Sequence, residues 1–109
     1  MVSIQGSTIT LTRGDTLRVS LELTDHTGNI YTPNEGDHIR FAMKRRYNDA
    51  EPLILKTIPN DTLILEIEPQ ETKSLPCVEY VYDIEMTYAN GDVDTFINKA
   101  KLQLTEEVY

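Results

Sequence analysis

Apolar and polar residues alternate along much of this chain with a period of two, the pattern of a β-strand with one wet face. In Thr16–Leu23, Leu17, Val19, Leu21 and Leu23 fall on one face and Thr16, Arg18, Ser20 and Glu22 on the other. In His38–Arg45, Ile39, Phe41 and Met43 oppose Arg40, Ala42 and Lys44. Thr62–Glu68 sends Leu63, Leu65 and Ile67 inward and Ile64, Glu66 and Glu68 outward. Thr8–Thr12 is a short β-branched run, Leu53–Ile58 a denser apolar one, and Ala100–Leu104 a strand with Leu102 and Leu104 inward. The strongest local signal is Tyr80–Phe96, two alternating runs around Asn90-Gly91. It predicts a hairpin closed by a two-residue turn.

Turn-forming residues separate these runs. Arg13-Gly14-Asp15, Asp25–Asn29, Pro33–Asp37, Arg46–Pro52 and Pro59-Asn60-Asp61 all read as turns or loops. The runs flanking Pro59-Asn60-Asp61 are expected to form a second hairpin. Pro69–Leu75 is the one helical candidate: proline suits a first helical position, and Pro76 stops the helix after about one turn. Asn98-Lys99 marks a bend or bulge before Ala100–Leu104. The total is about seven to eight short strands with one helical turn, which predicts an all-β sandwich or small barrel. The helical turn reads as a crossing between sheets, and this favours an antiparallel two-sheet sandwich. Tyr80 or Tyr82 then lies early in the strand where a tyrosine corner would sit.

Bulk properties narrow the function classes. At 109 residues the chain, residues 1–109, is expected to form a single domain. Its net charge of −8 repels phosphate, which disfavours nucleic acid and anionic membranes as partners. Cys77 is the sole cysteine, so no intramolecular disulfide is available. The segment MVSIQGSTIT lacks a basic stretch and a long apolar run, so no signal peptide is expected, and no apolar run reaches the length of a membrane span.

Few residues offer chemistry. Arg13-Gly14-Asp15 matches the integrin-binding tripeptide, but glycine and aspartate between two strands are what a turn requires. Asp83, Glu85, Asp92 and Asp94 fall on the facing runs of the Tyr80–Phe96 hairpin. They read as a solvated acidic face, balanced by Lys99 and Lys101, because the compact loop spacing of a calcium site is absent. Nothing in the pattern marks one of them as the raised-pKa acid of a glycosidase. Lys44-Arg45-Arg46, followed by Tyr47, is the basic cluster. It is expected to neutralise nearby acids such as Asp49 and Glu51. His26 and His38 lack a third ligand at metal spacing, and Cys77 has no neighbouring histidine in the sequence. No catalytic, cofactor-binding or metal-binding residue is therefore assigned.

The succession TRGDTLRVSLEL, FAMKRRYNDAEPLILK, LPCVEYVYDIEMTYANGDVDTF and KLQLTEEV resembles the small immunoglobulin-like β-sandwich domains of phage and prophage virion proteins. Within that group it resembles the N-terminal domains of baseplate upper proteins and similar stand-alone prophage proteins. The resemblance runs from about Ile9 to Val108 and carries strand and turn residues, with no ligand-binding set. It implies a non-enzymatic structural or assembly module of the tail or baseplate region, in the virion or in the host cytoplasm during assembly. The implied partners are other virion proteins or a second copy of the chain. Thr8–Thr12 and Ala100–Leu104 are the expected edge strands, open to augmentation by a neighbour's strand. The alternative on the same sandwich is a carbohydrate- or cell-surface-binding module using Tyr31, Tyr47 and Tyr88.

Overall fold

The computed structural model describes residues 2–5, 8–24 and 27–107, with the backbone alone for residues 2–5 and Asn98. The described residues form an all-β fold with one helical turn. In chain order the elements are β1 (Val2–Gln5), β2 (Thr8–Thr12), β3 (Leu17–Ser20), β4 (His38–Lys44), β5 (Ile54–Ile58), β6 (Ile64–Ile67), α1 (Pro69–Thr72), β7 (Glu79–Thr87) and β8 (Val93–Thr105). Six strands form a curled sheet in the order β1-β2-β8-β7-β4-β5, and β3 and β6 pair as a second, small sheet.

The alternation sets which face is buried. From the large sheet, Ile39, Phe41 and Met43, then Tyr80, Tyr82, Ile84 and Met86, then Leu102 and Leu104 are buried. From the small sheet, Leu17, Leu65 and Ile67 join them in one core. Burying a side chain of this size contributes about 1.5–3 kcal/mol. The inward positions expected for Thr16–Leu23, His38–Arg45, Thr62–Glu68 and Ala100–Leu104 all face this core, with Val19, Leu21 and Leu63 only half-buried at its rim.

Strand pairing differs from the expectation at four places. The runs around Pro59 do not form a hairpin: β5 pairs with β4, and β6 pairs with β3. The Leu63 N–H donates to Pro59 O at 2.9 Å, and Leu63 takes a left-handed backbone with φ of 54°. That turn swings the chain out of the large sheet and into the small one. The fold is also not wholly antiparallel, because β2 runs parallel to β8, with Ile9 opposite Leu102 and Leu11 opposite Leu104. Nearly the whole domain serves as the crossover that a parallel pair needs. Consequently neither expected edge is an edge. Thr8–Thr12 lies between β1 and β8, and Ala100–Leu104 is the second half of β8, between β2 and β7. The described edges of the large sheet are β1 and β5.

The fourth difference is the hairpin turn. The Gly91 N–H donates to Tyr88 O at 2.9 Å, and the Tyr88 N–H donates to Asp92 O at 2.8 Å. Gly91 has a φ of 95° while Asn90 stays outside the left-handed region. A two-residue Asn-Gly turn needs both residues left-handed, so this is the three-residue loop Ala89–Gly91 with its glycine as the bulge residue. The bend expected at Asn98-Lys99 is present. Tyr82 pairs with Ala100 and Ile84 with Ile97, so Asn98 and Lys99 together oppose Asp83. A second bulge at Phe96 follows, since Glu85 pairs with Thr95.

The helical turn carries the chain from β6 across to β7, as its position in the sequence predicts. Pro69 begins it, and the Glu68 N–H donates to Glu71 Oε2 at 2.8 Å. Lys56 on edge strand β5 reaches the same Glu71 at 2.8 Å and ties that edge to the crossing. Of the two corner candidates, Tyr80 is the one used. Its hydroxyl donates to Pro76 O at 2.6 Å, whereas the Tyr82 ring packs against Phe41 at 5.3 Å.

Candidate functional site

The Arg-Gly-Asp tripeptide is a fastened turn. The Asp15 N–H donates to Thr12 O, and Gly14 has a φ of 84°. The Gly14 N–H donates to the buried Thr72 Oγ1 at 2.9 Å. The Arg13 guanidinium donates to Leu75 O at 3.2 Å and to Glu107 Oε1 at 2.7 Å from Nη2. The turn therefore joins the start of the chain to the α1 crossing and the segment after β8.

Asp37 is the polar centre that the sequence did not reveal. It is buried. One carboxylate oxygen accepts the Tyr31 hydroxyl at 2.7 Å and the Asn34 N–H at 2.9 Å, and the other accepts the Ala89 N–H at 3.0 Å. Its carbonyl accepts Asn60 Nδ2 at 2.8 Å. These bonds, led by the one from Asn34 and then that from Tyr31, hold the carboxyl below the ordinary aspartate value. Through its carboxylate and its carbonyl together, Asp37 thus knots three loops at one end of the fold. Its place before a strand gave no signal beyond "loop". A shallow depression nearby is lined by Glu35, Asp37 and Asp61, but both carboxylate oxygens of Asp37 are already engaged by donors of the fold.

The four carboxylates of the hairpin do not form one face. Asp83 and Glu85 point outward from β7, but the Phe96 bulge shifts the register so that Asp94 sits opposite the inward Met86. Asp92 lies in the turn rather than the strand. Glu85 pairs with Arg40 at 2.8 Å, and Asp94 accepts the Tyr88 hydroxyl at 3.3 Å. Neither Lys99 nor Lys101 balances the group: Lys99 lies over the Tyr47 ring, 5.3 Å from its centroid, and Lys101 is 3.8 Å from Glu79. Among the described residues, no three His, Cys, Asp or Glu side chains are placed to hold a metal ion.

The basic cluster also departs from expectation. Asp49 accepts the Arg46 backbone N–H at 3.1 Å, not its guanidinium, and Arg45 donates to the Glu79 carbonyl at 3.0 Å. Among the described residues, no carboxylate forms an ion pair with Lys44, Arg45 or Arg46. Small Ala42 lies on the outer face of β4, between Leu55 of β5 and Asp83 of β7. A depression of about 220 Å³ opens over it, lined by Ala42, Lys44, Tyr47, Val81, Asp83 and Lys99. The β8 bulge places Lys99 here, a contribution that residue spacing conceals.

The three tyrosines of the alternative reading do not gather. The Tyr31 and Tyr88 rings meet edge to face at 5.9 Å, at the Asp37 end. Tyr47 is half-exposed and follows β4 at the opposite end. His38 is exposed at the start of β4, Cys77 is half-buried, and His26 lies outside the described residues. No described helix is long and apolar enough to cross a membrane. No family model matches the chain, and no curated protein matches it.

Proposed function

We propose that this chain is an immunoglobulin-like sandwich acting as a non-enzymatic structural or assembly module of a phage or prophage particle, in its tail or baseplate region. The order β8-β7-β4-β5 facing a β3-β6 pair supports the fold assignment, as it follows the layout of a variable-type immunoglobulin domain. The Tyr80 hydroxyl on Pro76 O supports it too, since a tyrosine corner bonds backbone a few residues upstream.

The observation that carries the functional reading is edge strand β5. Leu55 is 56% exposed there and Leu53, just before it, is 50% exposed. An edge with exposed apolar side chains and open backbone groups is a template for another chain, and the one charge on β5, Lys56, is taken up by Glu71. The test is light scattering after size exclusion, with capture of the neighbouring gene products by the tagged chain. Association is expected, and Leu55→Lys should weaken it. A chain that stays monomeric and captures none of them sinks the reading. The carbohydrate alternative has less support, because its tyrosines lie at opposite ends and two of their hydroxyls are spent on Asp37 and Asp94.

A further inference from the structure

Cations elsewhere on this acidic chain are mostly paired. Arg13, Arg18, Arg40 and Lys56 each meet a carboxylate at 2.7–2.8 Å. Five of the 10 basic residues instead collect at one end of the outer sheet face: Lys44, Arg45, Arg46, Lys99 and Lys101. Within that group, among the described residues, only Lys101 forms an ion pair with a carboxylate, at 3.8 Å. Lys44 and Lys99 flank the depression over Ala42. Lys99 also holds a left-handed backbone, φ 54°, which costs a residue with a Cβ about 1–2 kcal/mol. Such strain marks places where an ordered surrounding fixes a side chain's direction.

We propose that this depression binds an acidic polypeptide segment of a partner protein, an inference that rests on the assembly reading above. Lys44 and Lys99 would receive the segment's carboxylates. The half-exposed Tyr47 ring and Val81 offer apolar contact between them. Asp83 decides between a peptide and a polyphosphate. It lines the same depression, and its carboxylate has no hydrogen-bond or ion-pair partner among the described residues. A peptide brings N–H donors for it, whereas a phosphate backbone brings only acceptors and meets a chain of net charge −8.

The test is fluorescence anisotropy at low salt with a short fluorescein-labelled peptide alternating glutamate and leucine. Controls are the lysine–leucine counterpart and a labelled oligothymidylate. The acidic peptide should bind best, and the double variant Lys44→Glu, Lys99→Glu should weaken it about tenfold or more. The variant Arg18→Glu, Lys73→Glu makes the same change in net charge elsewhere and should cost less than about threefold. Lys44→Arg, Lys99→Arg should retain binding, and circular dichroism checks that each variant folds. The inference is overturned if nothing binds, if the two glutamate doubles lose binding equally, or if oligothymidylate binds as tightly. Failure here is separable from failure of the assembly reading. If neighbouring gene products are captured equally by wild type and by Lys44→Glu, Lys99→Glu, assembly stands and this site falls.

Discussion

Replacing Tyr80 with phenylalanine removes one hydroxyl and keeps the ring, which isolates the bond that pins β7 to the crossing before it. The Tyr80 side chain is 1% exposed, and its 2.6 Å bond to Pro76 O lies at the short end of the O–H···O range. Pro76 O also accepts the Val78 N–H at 3.1 Å, so the substitution leaves the carbonyl with one partner rather than none. The cost is therefore that of a net hydrogen bond, about 1 kcal/mol, not the up to about 3 kcal/mol of an orphaned buried acceptor. For a domain of this size that lowers Tm by about 4 °C or a little more. Urea unfolding followed by circular dichroism should show a lower midpoint with an unchanged slope. Tyr80→Ala removes the ring as well and should cost about 3–5 kcal/mol, separating packing from the hydroxyl. A Tyr80→Phe loss below about 0.3 kcal/mol would mean that the bond contributes nothing net. A loss above about 3 kcal/mol would mean that the Val78 bond fails with it, and either result refutes the reasoning.

Asp37 makes stability depend on acid. Its folded carboxyl lies below the ordinary value of 3.8, so its contribution is complete above that value and is lost as pH falls through the lower folded value. Asp37→Asn should flatten the acid limb of a stability–pH curve, and an unchanged limb would refute this. Gly36→Ala should destabilise by about 1–2 kcal/mol, because φ is +93° and the new Cβ would meet Ala89 Cβ at 3.0 Å; thermal melts measure it. Phe41→Ala should cost about 3–5 kcal/mol by urea unfolding, as its fully buried ring packs on Tyr82 between the sheets.

Most of the fold's local content was legible in the chain. The inward sets of β3, β4, β6 and the end of β8 followed from a period of two, since successive side chains on a strand must alternate faces. Pro69 and Pro76 bounded the helical turn, because proline lacks an N–H and fixes φ. Asn98-Lys99 showed the first bulge, and Tyr80 or Tyr82 the corner. The candidate depression was half legible: Lys44-Arg45-Arg46 and Tyr47 stand together in the sequence, but Lys99 and Asp83 do not.

What the sequence by itself determined, then, is where most strands lie and which side of β3, β4, β6 and the end of β8 is apolar; β1 (Val2–Gln5) was not read as a strand. Only the tertiary structure decided which strands are neighbours. Backbone pairing uses the same N–H and C=O groups in every residue, so partner choice is not written in side-chain alternation. A left-handed Leu63 turned an expected hairpin into a passage between sheets, and the parallel β2–β8 pair moved the edges to β1 and β5. The two β8 bulges then moved Asp94 out of register with the outward Asp83 and Glu85, and brought Lys99 into one depression with Lys44. Asp37 became a knot of three loops for the same reason: besides Tyr31 and Asn34 of its own loop its donors are Asn60 and Ala89, which are far away in sequence and close only once the strands have paired.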